Sequence, residues 1–285
     1  MRDDPQVQQA AAAWQLALTS ATIRGGVGDL RSRRAGSSLE FHEYRQYLPG
    51  DDLRKLDWSA YARTDQWMIR LHREEVSPRT DIVLDASRSM SAGDGAKWRV
   101  ARQLAALLTL LAEQMGEQPR LHLLDDQRPP RVINGRSLSQ LTGLSCDGRQ
   151  TLADAVAVRA IPWHSRGLRI VISDFLFPAD PGRLLQRLAD GAGLLWLIQT
   201  VTRDELDPAV TGGRRLVDLE SHEQLDLVIT PAALDRYRER LRRLREGLDH
   251  AARGAGAVLL TATVDDGLES ICRDTLFRSR LLQPA

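Results

Sequence analysis

Asp81-Ile-Val-Leu-Asp-Ala-Ser-Arg-Ser-Met90 is the stretch on which the fold turns. A short run of strand character passes directly into a loop that carries a carboxylate and two hydroxyls on alternate positions, Asp85, Ser87 and Ser89. Working outward, comparable apolar runs recur at Arg120-Leu-His-Leu-Leu124, Leu168-Arg-Ile-Val-Ile172, Leu194-Leu-Trp-Leu-Ile198 and Ala257-Val-Leu-Leu260. They are short and nearly continuous, as strands buried on both faces are. Between the first two, Val100, Leu104, Leu107, Leu108, Leu111 and Met115 share one face, with Arg99, Arg102, Gln103 and Glu113 elsewhere, which predicts a helix packed on the sheet. Thr230-Pro231 gives an N-cap followed by proline at the first helical position, and Leu234, Tyr237, Leu241, Leu244, Leu248 and Ala251 carry a second helix to near Gly254. Strands and helices alternating in this way predict an α/β fold with a doubly wound, mostly parallel sheet over residues 80–285. Residues 1–79 read differently: a helix near the start, the glycine-rich Arg24-Gly-Gly-Val-Gly28, then a dense polar and aromatic stretch. They are expected to form an N-terminal extension or small subdomain.

The composition is that of an ordinary globular protein. Of 285 residues, 42% are apolar and 27% charged, and 39 basic side chains meet 38 acidic ones, which argues against disorder and against supercharged nucleic-acid-binding tails. Only Lys55 and Lys97 are lysines, so the positive charge is nearly all guanidinium. Cys146 and Cys272 stand far apart with no CxxC, which suggests neither a zinc site nor a disulfide framework and makes a reducing compartment the expectation. The alanine-rich start is broken by Gln15, Thr19 and Ser20, unlike a signal peptide, and the run Leu104 to Ala112 is about half a membrane span. A cytoplasmic protein without direct membrane insertion is expected. Arg236, Arg238, Arg240, Arg242, Arg243 and Arg245 on the second helix read as a solvated face paired with Asp235, Glu239, Glu246 and Asp249, and no nucleic-acid partner is expected.

In an open parallel sheet, ligands bind beyond the carboxyl ends of the strands, and that is where the DxSxS loop falls. A carboxylate and two hydroxyls turned inward present hard oxygens to one ion, a donor set suited to Mg²⁺ or Mn²⁺. Two further segments are expected at the same edge: Gly148-Arg-Gln-Thr151, where a loop threonine precedes a helix, and Ile170-Val-Ile-Ser-Asp174, where an aspartate follows another buried strand.

This ordered set resembles the metal-ion-dependent adhesion site of von Willebrand factor A domains. The resemblance implies Ser87, Ser89 and Thr151 as direct ligands of Mg²⁺, Asp85 and Asp174 acting largely through water, and one coordination position left for an acidic residue of a bound protein. Upstream, Glu40-Phe, then Arg45-Gln-Tyr47-Leu-Pro-Gly50-Asp51-Asp52-Leu-Arg54, then Asp57-Trp58 and Ala62-Arg63 closely resemble the signature of domain-of-unknown-function family 58. That family is similar to proteins encoded with MoxR-type AAA+ ATPases, so the resemblance implies a non-enzymatic adaptor in chaperone-like remodelling. Physically, Arg45, Arg54 and Arg63 interleaved with Asp51, Asp52 and Asp57 suit an internal ion-pair network that docks the segment, beside the flat faces of Tyr47 and Trp58.

The alternative from the residues is a metal-dependent phosphohydrolase using Asp85 as nucleophile. A haloacid-dehalogenase-type enzyme wants a second aspartate two residues on, where Ser87 stands. There is also no GxxxxGK[ST] loop, GxSxG elbow or HExxH helix, and the six histidines are scattered.

Overall fold

The computed structural model describes residues 1–17, 43–46, 61, 63, 66–71, 79–92, 94–126, 130–158, 161–177, 180–209, 211–217 and 224–285. The chain clusters into two units, residues 28–77 and the remainder. In the first, β2 (Glu43–Gln46) pairs antiparallel with β3 (Met68–Leu71), Arg45 opposite Ile69. Of the signature residues, Tyr47, Gly50, Asp51, Asp52, Arg54, Asp57 and Trp58 lie outside the described residues, and Arg63 sits exposed in a helical turn.

The larger unit opens with α1 (Pro5–Ala13), whose N-cap Asp4 accepts from the N–H groups of Gln6 and Val7, and β1 (Trp14–Leu16). These elements, which the sequence reading grouped with residues 1–79, belong to the α/β unit, because β1 pairs antiparallel with β12 (Leu282–Pro284) at the other end of the chain. Next come β4 (Thr80–Asp85), α2 (Ala96–Gln114), β5 (Arg120–Leu124), β6 (Arg131–Ile133), α3 (Leu152–Val158), β7 (Leu168–Ser173), α4 (Pro181–Ala189), β8 (Leu194–Val201) and α5 (Arg203–Leu206). The hairpin β9 (Gly212–Val217) and β10 (Gln224–Ile229) follows, then α6 (Pro231–Gly254), β11 (Val258–Thr263), α7 (Gly267–Ser270) and a π-helical turn, Ile271–Phe277.

The six-stranded sheet has the order β11-β8-β7-β4-β5-β6, parallel except for β6. From β4 the chain first moves outward through β5 and β6, then jumps to β7 on the other side and continues through β8 to β11. The direction therefore reverses between β4 and β7, the switch point of a doubly wound sheet. Strands β4, β7 and β8 are buried at every residue, which explains why their sequences run apolar instead of alternating. One layer packs Ile82, Leu84, Ile170 and Ile172 against α1, α2 and the C-terminal turns, and the other packs Val83, Val171, Leu195 and Leu197 against α3, α4 and α6.

Three local expectations change. Helix α2 reads as amphipathic, yet Gln103 is buried with its apolar face, because α1 covers that side and Asp4 and Gln6 accept from the Gln103 amide. Met115 is the exposed C-cap of α2 and not part of its packed face. The hairpin β9–β10, held by a bidentate Arg215–Asp226 pair across the ladder, has no counterpart in the sequence reading, since its apolar residues Leu225 and Val228 are exposed and its strands belong to no core pattern. Helix α6 matches its predicted ends, and Arg242 and Arg243 pair with Glu239, Arg242 with Glu246, and Arg253 with Asp249. Both cysteines are free thiols, and burial pushes Cys272 up to about 12. No helix among the described residues is long and apolar enough to cross a membrane.

Candidate functional site

Strands β4 and β7 end side by side at the switch point, and each delivers an aspartate there. Asp85 is 1% exposed, and its carboxylate accepts from the Ser87 N–H at 2.9 Å and from the Ser173 hydroxyl at 2.6 Å. The first bond bends the chain into the loop that brings the Ser87 and Ser89 hydroxyls to 3.0 Å from each other. A short 3₁₀ turn, Arg88–Ser91, follows and leaves Ser89 half-buried.

The loop before Thr151 is stitched to this one. Gly148 forms a parallel bridge to Ser87: its N–H donates to the Ala86 carbonyl at 3.1 Å, and its own carbonyl accepts from the Arg88 N–H at 2.9 Å. A Cβ at position 148 would stand 2.9 Å from the Ala86 oxygen, so the close approach needs glycine. From the end of β5, Asp126 accepts from the N–H groups of Arg149 and Gln150 and fixes the rest of the loop. Thr151 begins α3, its hydroxyl donating to Asp154 at 2.8 Å and accepting from the Asp154 N–H at 3.2 Å.

Asp174 is 1% exposed, and its two oxygens accept from the Leu176 N–H at 3.1 Å and from the Lys97 ammonium at 3.0 Å. Lys97 is fully buried and also donates to Glu205 at 2.6 Å. The next residue after Asp174, Phe175, is buried with φ 52°, a left-handed conformation that costs a bulky residue of order 1 kcal/mol or more. Packing and the bond from its N–H to the Ser173 hydroxyl hold it there. Gln199, buried on β8, donates to the Asp174 carbonyl at 2.9 Å.

The structure thus unites Asp85, Ser87 and Ser89, sets the Thr151 loop against them through Gly148, and brings Asp174 near enough for its charge to act on Asp85. Burial first, and the neighbouring Asp174 second, push Asp85 up to about 6 against the bonds from Ser173 and Ser87. For Lys97, burial works against the charge, but Asp174 and Glu205 outweigh it and leave the ammonium above its usual range. Lys97, Glu205, Ser173, Gly148, Gln199 and Asp126 are the parts that the motif reading missed. Lys97 left a signal: it stands one turn before Val100 and Leu104 on the apolar stripe of α2, a lone lysine where a core residue is due.

The donor set fits a hard divalent cation. Two ligands at right angles on an ion with bonds of about 2.1 Å are separated by about 3 Å, the spacing of the Ser87 and Ser89 hydroxyls. Among the described residues no basic side chain pairs with the buried Asp85 carboxylate. Among those residues no group of three or more His, Cys, Asp or Glu side chains gathers to hold a metal ion, so an ion here would rest on the hydroxyl oxygens.

Comparison with known proteins adds the family. Residues 43–247 match the model described as "Protein of unknown function DUF58". The uncharacterized proteins Rv1480 of Mycobacterium tuberculosis (strain ATCC 25618 / H37Rv) and Mb1516 of Mycobacterium bovis are each 30% identical over 293 residues, covering 98% of this chain and 92% of theirs. Among solved structures, the conserved hypothetical protein BatB from Bacteroides thetaiotaomicron is similar with a TM-score of 0.41 and 12% identity, over 71% of this chain and 98% of that one. An aerotolerance-related membrane protein from Bacteroides fragilis NCTC 9343 is similar with a TM-score of 0.37 and 13% identity, over 69% and 97%. With more than half of its length matched by the family model, the chain belongs to the DUF58 family.

Proposed function

We propose that the protein is a non-enzymatic, divalent-cation-dependent protein-interaction module of the von Willebrand factor A type, and that it serves a MoxR-type AAA+ ATPase as a cytoplasmic adaptor in chaperone-like assembly or remodelling. The observation that carries the reading is the pair of serine hydroxyls 3.0 Å apart beside a buried aspartate without a cationic partner among the described residues, at the switch point of the sheet. Ser87 and Ser89 would hold Mg²⁺, or Mn²⁺, through their hydroxyl oxygens, with Asp85 close behind and Thr151 and Asp174 in the places the resemblance gives them. When bound, the ion supplies a positive charge that attracts a carboxylate from a partner or client. The chain's own groups do the positioning: Asp85 fixes the serine loop through the Ser87 N–H, and Gly148 bridges to the loop at Ser87. The ATPase as partner follows from the family resemblance.

The phosphohydrolase reading is disfavoured by Asp85 itself, which is 1% exposed and spends both oxygens on Ser87 and Ser173, leaving a poor nucleophile for in-line attack. The test is co-purification with the ATPase in Mg²⁺ against chelator, using wild type and Ser87→Ala/Ser89→Ala. Capture that needs Mg²⁺ and disappears in the folded double variant is the expected result. Capture that persists in chelator or in that variant overturns the reading.

A further inference from the structure

Lys97 is absorbed by no motif, yet it is a fully buried charge beside the site. It lies in the first turn of α2, fully buried, and its ammonium donates both to Asp174 at 3.0 Å and to Glu205 at 2.6 Å. Each partner is itself fixed. Asp174 holds the Leu176 N–H with its other oxygen, while the second oxygen of Glu205 accepts from the Thr202 N–H at 2.8 Å in the capping box of α5. A buried ammonium persists only when carboxylates compensate its desolvation, and removing one member of such a set leaves an uncompensated charge. Lysine suits the position because a compact ammonium can be shared between two carboxylates.

We infer that Lys97 is the built-in counter-ion of the candidate cation site, holding Asp174 in the ion-free protein and weakening the site's grip on a divalent cation so that the ion exchanges instead of serving as a structural staple. The inference rests on the proposed ion site. The ammonium and a divalent ion draw on the same negative charge at Asp174, so whatever tightens one hold loosens the other. Lys97 therefore sets the affinity and selectivity of the site without touching the ion.

Two substitutions with opposite expected signs test this, with Mg²⁺ and Mn²⁺ alone as probes in titration calorimetry and thermal melts. Lys97→Met frees Asp174 and is expected to bind Mg²⁺ at least about tenfold more tightly than wild type, to melt lower without ion and to recover on adding it. In Lys97→Met/Asp174→Asn the extra affinity disappears, and the protein melts above the single variant. Glu205→Gln leaves Lys97 only Asp174 to hold and is expected to weaken Mg²⁺ binding about threefold; this variant keeps the test alive should Lys97→Met not fold. If wild type binds Mg²⁺ while Lys97→Met binds no more tightly, or Glu205→Gln no more weakly, the counter-ion role is overturned and the ion site stands. Binding by Lys97→Met but not by wild type supports the counter-ion role and overturns the metal-dependent reading. Binding by neither overturns both.

Discussion

Asp81 and Asp85 stand at the two ends of one strand, four residues apart, each 1% exposed, yet their environments are opposite. Asp81 accepts from the His122 Nε2–H at 3.1 Å and from the His164 N–H at 2.7 Å, and the His164 ring lies at 3.1 Å. Burial works to raise its pKa, but these bonds and the nearby imidazoles win, and the group is lowered. Asp85 accepts from the Ser173 hydroxyl and from Ser87, faces a second carboxylate across the switch point, and is raised to about 6. Both carboxyls are closed off from solvent to the same 1%, so low exposure alone is not what makes a site. What distinguishes the carboxyl edge of the sheet, among the described residues, is a buried carboxylate with no basic side chain paired to it, and the proposed cation site rests on that feature.

The contrast breaks most sharply by removing each charge in turn. Asp81→Asn is expected to cost about 1–3 kcal/mol in urea unfolding at pH 7, because the amide cannot replace the carboxylate as acceptor for both the His122 ring and the His164 N–H. Asp85→Asn, equally buried, is expected to stabilise the ion-free protein by up to about 3 kcal/mol in the same measurement. A loss of comparable size in both variants would show that the two aspartates are merely two core residues.

The pH dependence follows with its sign. A carboxyl raised in the folded state contributes stability that is full below its unfolded pKa and is lost as pH rises to the folded value. For Asp85 that window runs from 3.8 to about 6. Glu117, buried under β4 with the Thr80 hydroxyl donating to it at 2.7 Å, is raised by burial to about 6 and behaves alike from 4.5 upward. Asp81 is the reverse: its contribution is present above its unfolded pKa and fades as pH falls through its lowered folded value. Unfolding free energies between pH 4 and 7 should therefore flatten in Asp85→Asn, and Glu117→Gln should gain up to about 2 kcal/mol at pH 7. A smaller effect sharpens the picture at the stitched loop: Thr151→Ala is expected to cost about 1 kcal/mol as the start of α3 loses its hydroxyl, read from the same unfolding curves.

The contrast also explains what could be read from the chain. The parallel strands were legible because burial on both faces leaves continuous apolar runs, and the DxSxS loop because its oxygens are close in sequence. Helix α6 was legible from its own capping residues, Thr230 and Pro231. The ladder β1–β12 joins residues 14–16 to 282–284, a pairing no local pattern announces. Lys97, Asp174 and Glu205 come from three separate elements, and the bond that gives each its role crosses 77 or 108 residues of chain. The DxSxS spacing sets Asp85 apart from Asp81 in the sequence, but the opposite shifts of the two carboxyls come from neighbours in space.

The most direct test of the account is calorimetric titration of Mg²⁺ into wild type and Ser87→Ala, with thermal melts to confirm folding. The account predicts saturable binding in wild type and none in a variant that melts like it. No binding in wild type, or equal binding in both, would contradict the claim that the carboxyl edge of the sheet is a cation site.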